Sequence, residues 1–358
     1  MLTCNNALSR RSFTRLALSS LPALGALGLA GCGTGGDGSS SSAGSGDAAS
    51  AAASTTSDAE VVSTTLFAFD TVVQISAQCE QALLDKVSER CTYFENKFSR
   101  TVEGSDIWNI NNAHGAPVEV CEETAACIKA ALEYAQASGG LFDITIGAVS
   151  SLWDFVEGVK PSDEQIAAAL PHVGYGCVEL EGTTVTLSDP DAKLDLGGIA
   201  KGYICDDFVR LLREGGCVNA SLSLGGNVYV MGMSFDGDEW NVGVQDPNGE
   251  ANDVIATIPA TDVSLVTSGL YERGFEQDGV FYYHILDPKT GYPVATDLES
   301  ASIRCESSTT ADAYSTILFL LGHDAAVSLV ESDDRFEAVF VDSEGNVTKS
   351  AGSEFTIL

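Results

Sequence analysis

The feature that most constrains this chain is a glycine-rich segment, residues 194–203, that leads into a predicted helix. Asp195 precedes two adjacent glycines, and Lys201 follows them within this glycine segment. Apolar residues then recur at helical spacing before two further glycines: Ile204, Phe208, Leu211 and Leu212, then Gly215 and Gly216. Glycines at a helix start let backbone N–H groups approach a phosphate closely, and a lysine adds a mobile positive charge. The pattern therefore predicts either an anion-binding loop or a tight turn that packs a helix onto a strand.

The order of predicted elements indicates an α+β fold. Besides the helix after the glycine segment, helical spacing occurs over residues 82–98, 122–137, 162–170, 310–321 and 325–332. Strand patterns cover residues 71–77, 178–181, 184–188, 221–232, 239–245, 254–258, 263–267, 279–286, 301–305 and 338–341. Strand runs mixed with segregated helices favour largely antiparallel sheets flanked by helices.

Further motifs accompany the glycine segment in a fixed order along the chain. They are Gly140-Leu141-Phe142-Asp143, Leu152-Trp153, Ser223-Leu224-Gly225-Gly226-Asn227, residues 240–247, Thr267-Ser268-Gly269-Leu270-Tyr271-Glu272-Arg273, His284-Ile285-Leu286-Asp287-Pro288 with Thr290-Gly291, and residues 311–316. This series resembles the ApbE family, the FAD:protein FMN transferases, from about Leu66 to the C-terminus. The resemblance implies a two-lobed fold with a flavin site between the lobes.

The resemblance also implies residues that contact the flavin nucleotide. By match to the family motifs, these are Leu141, Phe142, Asp143, Asp195, Lys201 and Leu286. The chain departs from the family where many members have Met-Gly-Thr, because Phe69-Asp70-Thr71 stands there. Phe69 is therefore expected to offer a stacking surface in place of a methionine contact.

A metal site is predicted on the helix at 310–321. Asp312 and Thr316 are four residues apart and project from one helix face. A carboxylate and a hydroxyl are hard oxygen ligands suited to Mg²⁺. The residues alone leave a second interpretation open, in which Asp312 caps the helix and Thr316 only packs. The resemblance implies that both are metal ligands, together with the backbone carbonyl of Gly198.

His284 is the candidate proton acceptor, because it ends an alternating strand and precedes a turn, where sites often form. A structural histidine that bonds the turn is the alternative. The resemblance implies that His284 and Asp312 act in catalysis. In the implied reaction, a Ser/Thr hydroxyl of an acceptor protein attacks the FMN-side phosphorus of FAD and AMP leaves, while Mg²⁺ offsets the negative charge of the diphosphate.

Two other functions remain open at this stage. With water in place of the acceptor hydroxyl, the same site would be a metal-dependent FAD pyrophosphatase that yields FMN and AMP. A non-catalytic flavin-binding lipoprotein is the third alternative, although the presence of Asp312, Thr316 and Lys201 argues against it.

The N-terminus predicts export and lipid anchoring. Residues 1–31 combine Arg10-Arg11, an apolar run over 16–30 and a lipobox, so that Cys32 is expected to be the acylated first residue of the mature protein. Residues 32–60 are rich in Gly, Ser and Ala and predict a flexible tether. Residues 61–358 are then expected to form the transferase domain. The lipid on Cys32 would hold this domain at the outer face of the cytoplasmic membrane, which is the periplasmic side where a periplasm exists.

The charge excludes nucleic acid as a partner. The formal net charge is −33, and such an acidic surface repels polyanions. FAD is itself an anion, so its binding requires local positive charge, from Lys201, a helix N-terminus or a divalent cation. Ten cysteines are present, but their spacing predicts neither zinc nor iron–sulfur binding, and the sequence leaves any disulfide pairing undetermined.

Overall fold

The computed structural model describes residues 60–250 and 253–358. The predicted export signal and the tether, apart from Glu60, lie outside the described residues. The described strands are β1 Val61–Ala68, β2 Thr71–Gln78, β3 Val118–Glu119, β4 Val178–Glu181, β5 Thr184–Leu187, β6 Ala220–Leu224, β7 Asn227–Met231, β8 Trp240–Gln245, β9 Val254–Ala260, β10 Val263–Gly269, β11 Gly274–Gln277, β12 Val280–Tyr283, β13 Leu298–Cys305, β14 Glu337–Asp342, β15 Val347–Lys349 and β16 Thr356–Ile357.

The helices of the described residues lie where the apolar spacing predicted them, with short additions. They are α1 Gln81–Phe98, α2 Asp106–Asn111, α3 Glu122–Ala137, α4 Gly147–Ser150, α5 Asp163–Ala169, α6 Ala200–Glu214, α7 Ser308–Leu321 and α8 His323–Glu331. In this part of the chain, no helix has both the length and the apolar character needed to cross a membrane.

Antiparallel pairing joins the strands of every sheet, which confirms the predicted fold class. The largest sheet has the order β1-β2-β6-β7-β10-β13-β14-β15. Two three-stranded sheets, β16-β9-β8 and β3-β5-β4, and the hairpin β11-β12 complete the set. Helices α6 and α7 pack closely against each other, and α7 also packs on β10 and β13.

Two large hydrophobic clusters form the interior, and α7 contributes to both. Ala313 and Ile317 belong to the cluster that also contains α1, α3 and α6. Leu318 and Phe319, on the opposite side of the same helix, belong to the cluster built with β13 and β14. An all-round apolar helix of this kind is buried on every side, so α7 is the element through which the two cores meet.

The structure corrects the prediction of one strand over residues 221–232. The chain reverses within this range, so that β6 and β7 form a hairpin with Leu224 paired to Asn227. Gly225 and Gly226 form the turn with φ angles of +55° and +82°, a left-handed conformation that glycine adopts without strain. Gly225 and Gly226, which belong to one of the family motifs, therefore form the turn of this hairpin.

The contact between α6 and α7 depends on a glycine. A Cβ atom at position 202 would lie 2.3 Å from the carbonyl oxygen of Ser308 and 2.7 Å from Cβ of Asp312. Both distances are shorter than van der Waals contact, so only glycine allows the two helices to approach this closely. The same approach brings the N-terminus of α6 next to Asp312.

We expect Gly202→Ala to destabilise the protein by about 1–3 kcal/mol, because the added methyl group overpacks the α6–α7 contact. Helix propensity alone would instead stabilise the variant by about 1 kcal/mol. Urea denaturation measures the sign directly. The matched control is Gly176→Ala, where the new Cβ would meet open space. A Gly202→Ala protein as stable as the parent would contradict the close-contact interpretation.

Candidate active site

The three predicted metal ligands lie together. Asp312 and Thr316 occupy successive turns of α7, and the Thr316 hydroxyl lies 3.4 Å from the Asp312 carbonyl oxygen. A Cβ placed on Gly198 would lie 3.5 Å from Thr316 Oγ1, so the glycine segment passes directly beside this hydroxyl. The structure thus brings a carboxylate, a hydroxyl and a stretch of glycine backbone to one place.

Asp312 is a buried carboxylate with two partners from α6. Its side chain is 4% exposed. Oδ2 accepts a hydrogen bond from the Gly202 amide at 2.8 Å, and Oδ1 lies 3.4 Å from Lys201 Nζ. A buried carboxylate needs compensating charge and hydrogen bonds, and the long Lys201 contact supplies only part of this. The Asp312 carboxylate is therefore a candidate ligand for a cation.

The alternative in which Asp312 caps its helix is wrong. Helix α7 begins at Ser308, and the capping residue is Ser307, whose hydroxyl accepts from the Thr310 amide at 3.2 Å. Asp206 of α6 also accepts from the Ser308 and Thr309 amides, both at 2.9 Å. These groups satisfy the start of α7, so Asp312, in the second turn, does not cap its own helix; its carboxylate contacts α6 instead.

A serine that the sequence motifs contained, but to which no role was given, supports Thr316. The Ser268 hydroxyl, at the end of β10, lies 2.9 Å from Ser315 Oγ and 3.5 Å from Thr316 Oγ1. It therefore fixes α7 against β10 beside the predicted ligand. Only the pairing of two distant segments reveals this contact, which is why sequence spacing alone missed it.

Asp195 is held by hydrogen bonds on both carboxylate oxygens. Oδ2 accepts from the Ser150 hydroxyl at 2.7 Å and lies 3.4 Å from Arg100 Nε. Oδ1 accepts from the Gly197 amide at 2.9 Å, which bends the chain into the glycine segment. Asp195 thus shapes this segment, and Arg100 is a positive charge near it that sequence reasoning missed.

Phe142 and Asp143 support the glycine segment and a neighbouring loop. Phe142 packs against Gly198, since a Cβ there would lie 3.0 Å from its ring. Asp143 is buried, and its two oxygens accept hydrogen bonds from the Thr145 amide and the Tyr175 amide, each at 2.8 Å. These contacts show a loop-holding role for Asp143; its contact with the flavin stays a prediction.

The remaining predicted flavin contacts lie at three different places in the fold. Phe69 is in the two-residue turn between β1 and β2, with a φ of +56°, and its amide donates to Glu95 Oε2 at 2.6 Å. Leu141 packs against both large hydrophobic clusters. Leu286 is buried in a small cluster with Trp153. Their contact with the flavin also stays a prediction.

A carboxylate that the sequence reasoning gave no role, Glu272, faces the same charged groups. Glu272 is exposed to solvent, although many protein atoms lie around its carboxylate. This loss of hydration raises the pKa of Glu272; the positive charges of Lys201 and Arg273 lower it, and Asp312 raises it further. Glu272 is therefore a second candidate proton acceptor.

His284 lies where β12 ends, close to both positive charges. Its amide donates to the Arg273 carbonyl at 3.2 Å, and its Nδ1 atom is buried without a hydrogen-bond partner among the described residues. Loss of hydration lowers the pKa of His284 to about 4; Arg273 and Lys201 lower it, whereas Asp195 acts in the opposite direction. The imidazole is thus neutral at pH 7 and able to accept a proton.

We expect the His284 imidazole to titrate near pH 4 and not near pH 6.5. The unfolded chain takes up this proton at about pH 6.5, so stability should fall as pH drops from there towards 4. Two-dimensional NMR of the ring carbons measures the midpoint, and urea denaturation at pH 7 and pH 5 measures the stability change. His284→Gln should show a smaller change between the two pH values. A ring resonance that shifts around pH 6.5 would contradict a lowered pKa for this histidine.

Comparison with known proteins identifies the family. Residues 69–340 match the ApbE family. The FAD:protein FMN transferase of Treponema pallidum is 35% identical over 83% of this chain and 87% of its own length, and one of Klebsiella pneumoniae is 33% identical over 76% and 86%. The crystal structure of the ApbE protein from Thermotoga maritima superposes with a TM-score of 0.75 at 36% identity, covering 82% of this chain and 97% of that one.

The flavin transferase ApbE from Vibrio cholerae has the same fold, with a TM-score of 0.74 at 25% identity over 83% of this chain and 98% of that one. The motifs that suggested the resemblance and the site positions described above all lie within the matched residues. The chain belongs to the ApbE family.

Proposed function

We propose that this protein transfers the FMN part of FAD to a Ser or Thr hydroxyl of an acceptor protein, releases AMP and requires Mg²⁺. The observation that carries the proposal is the buried Asp312 carboxylate, which lies one helical turn from Thr316 and against the N-terminus of α6. The relatives named as FAD:protein FMN transferases support the reaction class.

The donor set fits Mg²⁺. Asp312 would bind through its carboxylate, Thr316 through its hydroxyl and Gly198 through its carbonyl oxygen. Mg²⁺ commonly takes one or two carboxylates and completes its shell with water and substrate phosphate. When bound, the ion would supply positive charge to the diphosphate and to the departing phosphate.

The chain itself provides a second source of positive charge. Helix α6 begins at Ala200, shortly after Gly197 and Gly198, so the positive end of its dipole lies at the glycine segment. Lys201 has only 22% of its side chain exposed and lies beside Asp312. In the proposed complex, Lys201 and the positive end of this helix dipole attract the FAD diphosphate, while the rest of the acidic surface repels it.

The proposed reaction makes one bond and breaks one. The acceptor oxygen bonds to the FMN-side phosphorus, the bond from that phosphorus to the bridging oxygen breaks, and the bridging oxygen leaves on AMP. Either His284 or Glu272, the two candidate bases near the site, takes the proton of the acceptor hydroxyl. Both are less hydrated than free side chains, which makes the histidine neutral and the carboxylate more basic.

We expect Asp312→Asn to lower the rate of FMN transfer roughly a thousandfold, the loss that follows when several kcal/mol of charge stabilisation are removed. The measurement uses FAD, Mg²⁺ and an acceptor with a flavinylation motif, followed by in-gel fluorescence of the acceptor and quantification of free FMN and AMP. Asparagine keeps the shape of the side chain, so the variant should fold.

The matched control is Asp106→Asn. Asp106 is another buried carboxylate with a lysine and an amide as partners, Lys97 at 3.2 Å and the Cys121 amide at 3.0 Å. This variant should lose stability and keep its transfer rate per folded molecule. Equal transfer by Asp312→Asn and the parent would refute the site. Free FMN and AMP with an unlabelled acceptor would show a pyrophosphatase instead.

The cellular location is also a proposal, because residues 1–59 lie outside the described part of the structure. The protein is exported and anchored by a lipid on Cys32, and the tether lets the domain reach acceptor proteins. The lipobox and the twin arginines support this.

We expect Cys32→Ser to move the protein from the membrane fraction to the soluble fraction while its transfer activity in vitro stays unchanged. Fractionation without detergent and intact mass for the lipid measure the outcome. Cys4→Ser, which alters the other cysteine of the N-terminal region, should leave the protein anchored. A Cys32→Ser protein that remains in the membrane fraction would show that the lipobox assignment is wrong.

A further inference from the structure

Two cysteines far apart in the sequence lie at neighbouring ends of paired strands. Cys79 directly follows β2, and Cys217 lies between α6 and β6. These strands are adjacent and antiparallel in the large sheet. Beyond their last paired residues the two chains continue side by side, since the Gln78 amide donates to the Asn219 carbonyl at 2.8 Å.

The two thiols meet in the protein interior. Cys79 and Cys217 are each 4% exposed and belong to the same hydrophobic cluster. The two cysteines are free thiols, and each shifts the pKa of the other, as expected for close neighbours. Cys217 in turn donates to the Asn219 carbonyl, with 3.3 Å between sulfur and oxygen. Paired chains lie about 5 Å apart, which is within the range of Cα separations that a disulfide spans.

We propose that Cys79 and Cys217 form a structural disulfide when the protein meets an oxidising environment. One cysteine thiolate attacks a sulfur of a disulfide oxidant, either a small molecule or an oxidoreductase, and displaces one thiolate from it. The second cysteine then attacks the mixed disulfide and displaces the other thiolate. Two protons leave the protein thiols, and two electrons reduce the oxidant to two thiols.

The surroundings of the thiols set the rate of this step. Burial raises the pKa of Cys79 to about 11, and the neighbouring Cys217 adds to the effect. Little thiolate is therefore present in the folded protein at pH 7, and an oxidant reaches the pair only when this end of the sheet opens. The bond should accordingly form slowly in the native protein and quickly during refolding, and it should resist reduction once it is buried.

The bond would join two parts of the fold that matter for the site. It closes a loop from residue 79 to residue 217, which contains helices α1 to α6 and the glycine segment. Closing so long a loop removes much conformational freedom from the unfolded chain. It would also attach the C-terminal end of α6, the helix that carries Lys201 and Gly202, to the end of β2.

A peptide map of the full chain tests the proposal directly. The protein is refolded from denaturant in a mixture of oxidised and reduced glutathione, free thiols are alkylated, and cleavage after glutamate follows. Cleavage at Glu60, Glu80, Glu214 and Glu239 isolates Cys79 on residues 61–80 and Cys217 on residues 215–239, each as the single cysteine of its peptide. We expect these two peptides to be linked and to separate on reduction. The recovery of both peptides alkylated and unlinked would refute the proposal.

Thermal melts provide a second and independent readout. Reduction should lower the Tm of the oxidised parent by about 5 °C or more, as expected when a long loop is opened. Cys79→Ala and Cys217→Ala should each abolish the dependence of Tm on reductant. Cys91→Ala, at another buried cysteine of the same cluster, should keep it. A reductant effect that persists in both Cys79→Ala and Cys217→Ala would assign the disulfide to other cysteines.

The oxidant in these experiments is supplied in vitro, so the result does not depend on the proposed export or on flavin transfer. Failure of the peptide map would remove the disulfide and leave the proposed function untouched.

Discussion

The contact between Asp312 and the N-terminus of α6 connects the packing of this protein with its proposed chemistry. Gly202 has no side chain, so α6 and α7 approach until the Gly202 amide donates to the Asp312 carboxylate at 2.8 Å. The same approach brings Lys201 to Asp312 and the glycine segment to Thr316. A bulkier residue at 202 would separate the helices and, with them, the groups that would hold a metal and a diphosphate.

The local balance of charge differs from that of the whole chain. The protein carries a formal net charge of −33, yet Lys201, Arg273 and Arg100 lie among the acidic groups of the site. Desolvation strengthens each of these interactions. Loss of hydration also acts in opposite directions on the two candidate bases: it lowers the pKa of the His284 imidazole and raises the pKa of the Glu272 carboxyl group. These positive side chains are the groups that the proposed anionic substrate would meet on an otherwise repelling surface.

Sequence patterns correctly predicted those features that depend only on residues within one short segment. The helix after the glycine segment, the span Glu122–Ala137 and the shared face of Asp312 and Thr316 all follow from local spacing. Strand β1 was missed because its side chains alternate only between exposed and half-buried positions, directly after a polar tether. The turn at Phe69 was missed as well, since a left-handed aromatic residue is uncommon.

The parts of the site that could not be predicted all involve residues distant in the sequence. Ser268 meets Thr316 only because β10 packs on α7. Arg100 meets Asp195 only because the end of α1 lies beside the glycine segment. Glu272 lay within a family motif, but its proximity to Lys201 and Asp312 depends on how β10 and β11 are joined. Hydrogen-bond partners of this kind are set by tertiary structure, and no local periodicity encodes them.

Helix α6 is held at both of its ends, and groups carried by a rigidly held helix keep a more precise geometry than groups on a mobile loop. At its N-terminal end, the Gly202 amide and Lys201 contact Asp312. Just after its C-terminal end, a Cβ on Gly215 would lie 2.5 Å from the Leu83 side chain, so the helix end packs tightly on α1. The proposed bond from Cys217 to Cys79 would act at this second end. Because a helix transmits a displacement along its whole length, loosening the distant end would also move the amide groups beside Asp312, and the site therefore depends on contacts that never touch its ligands.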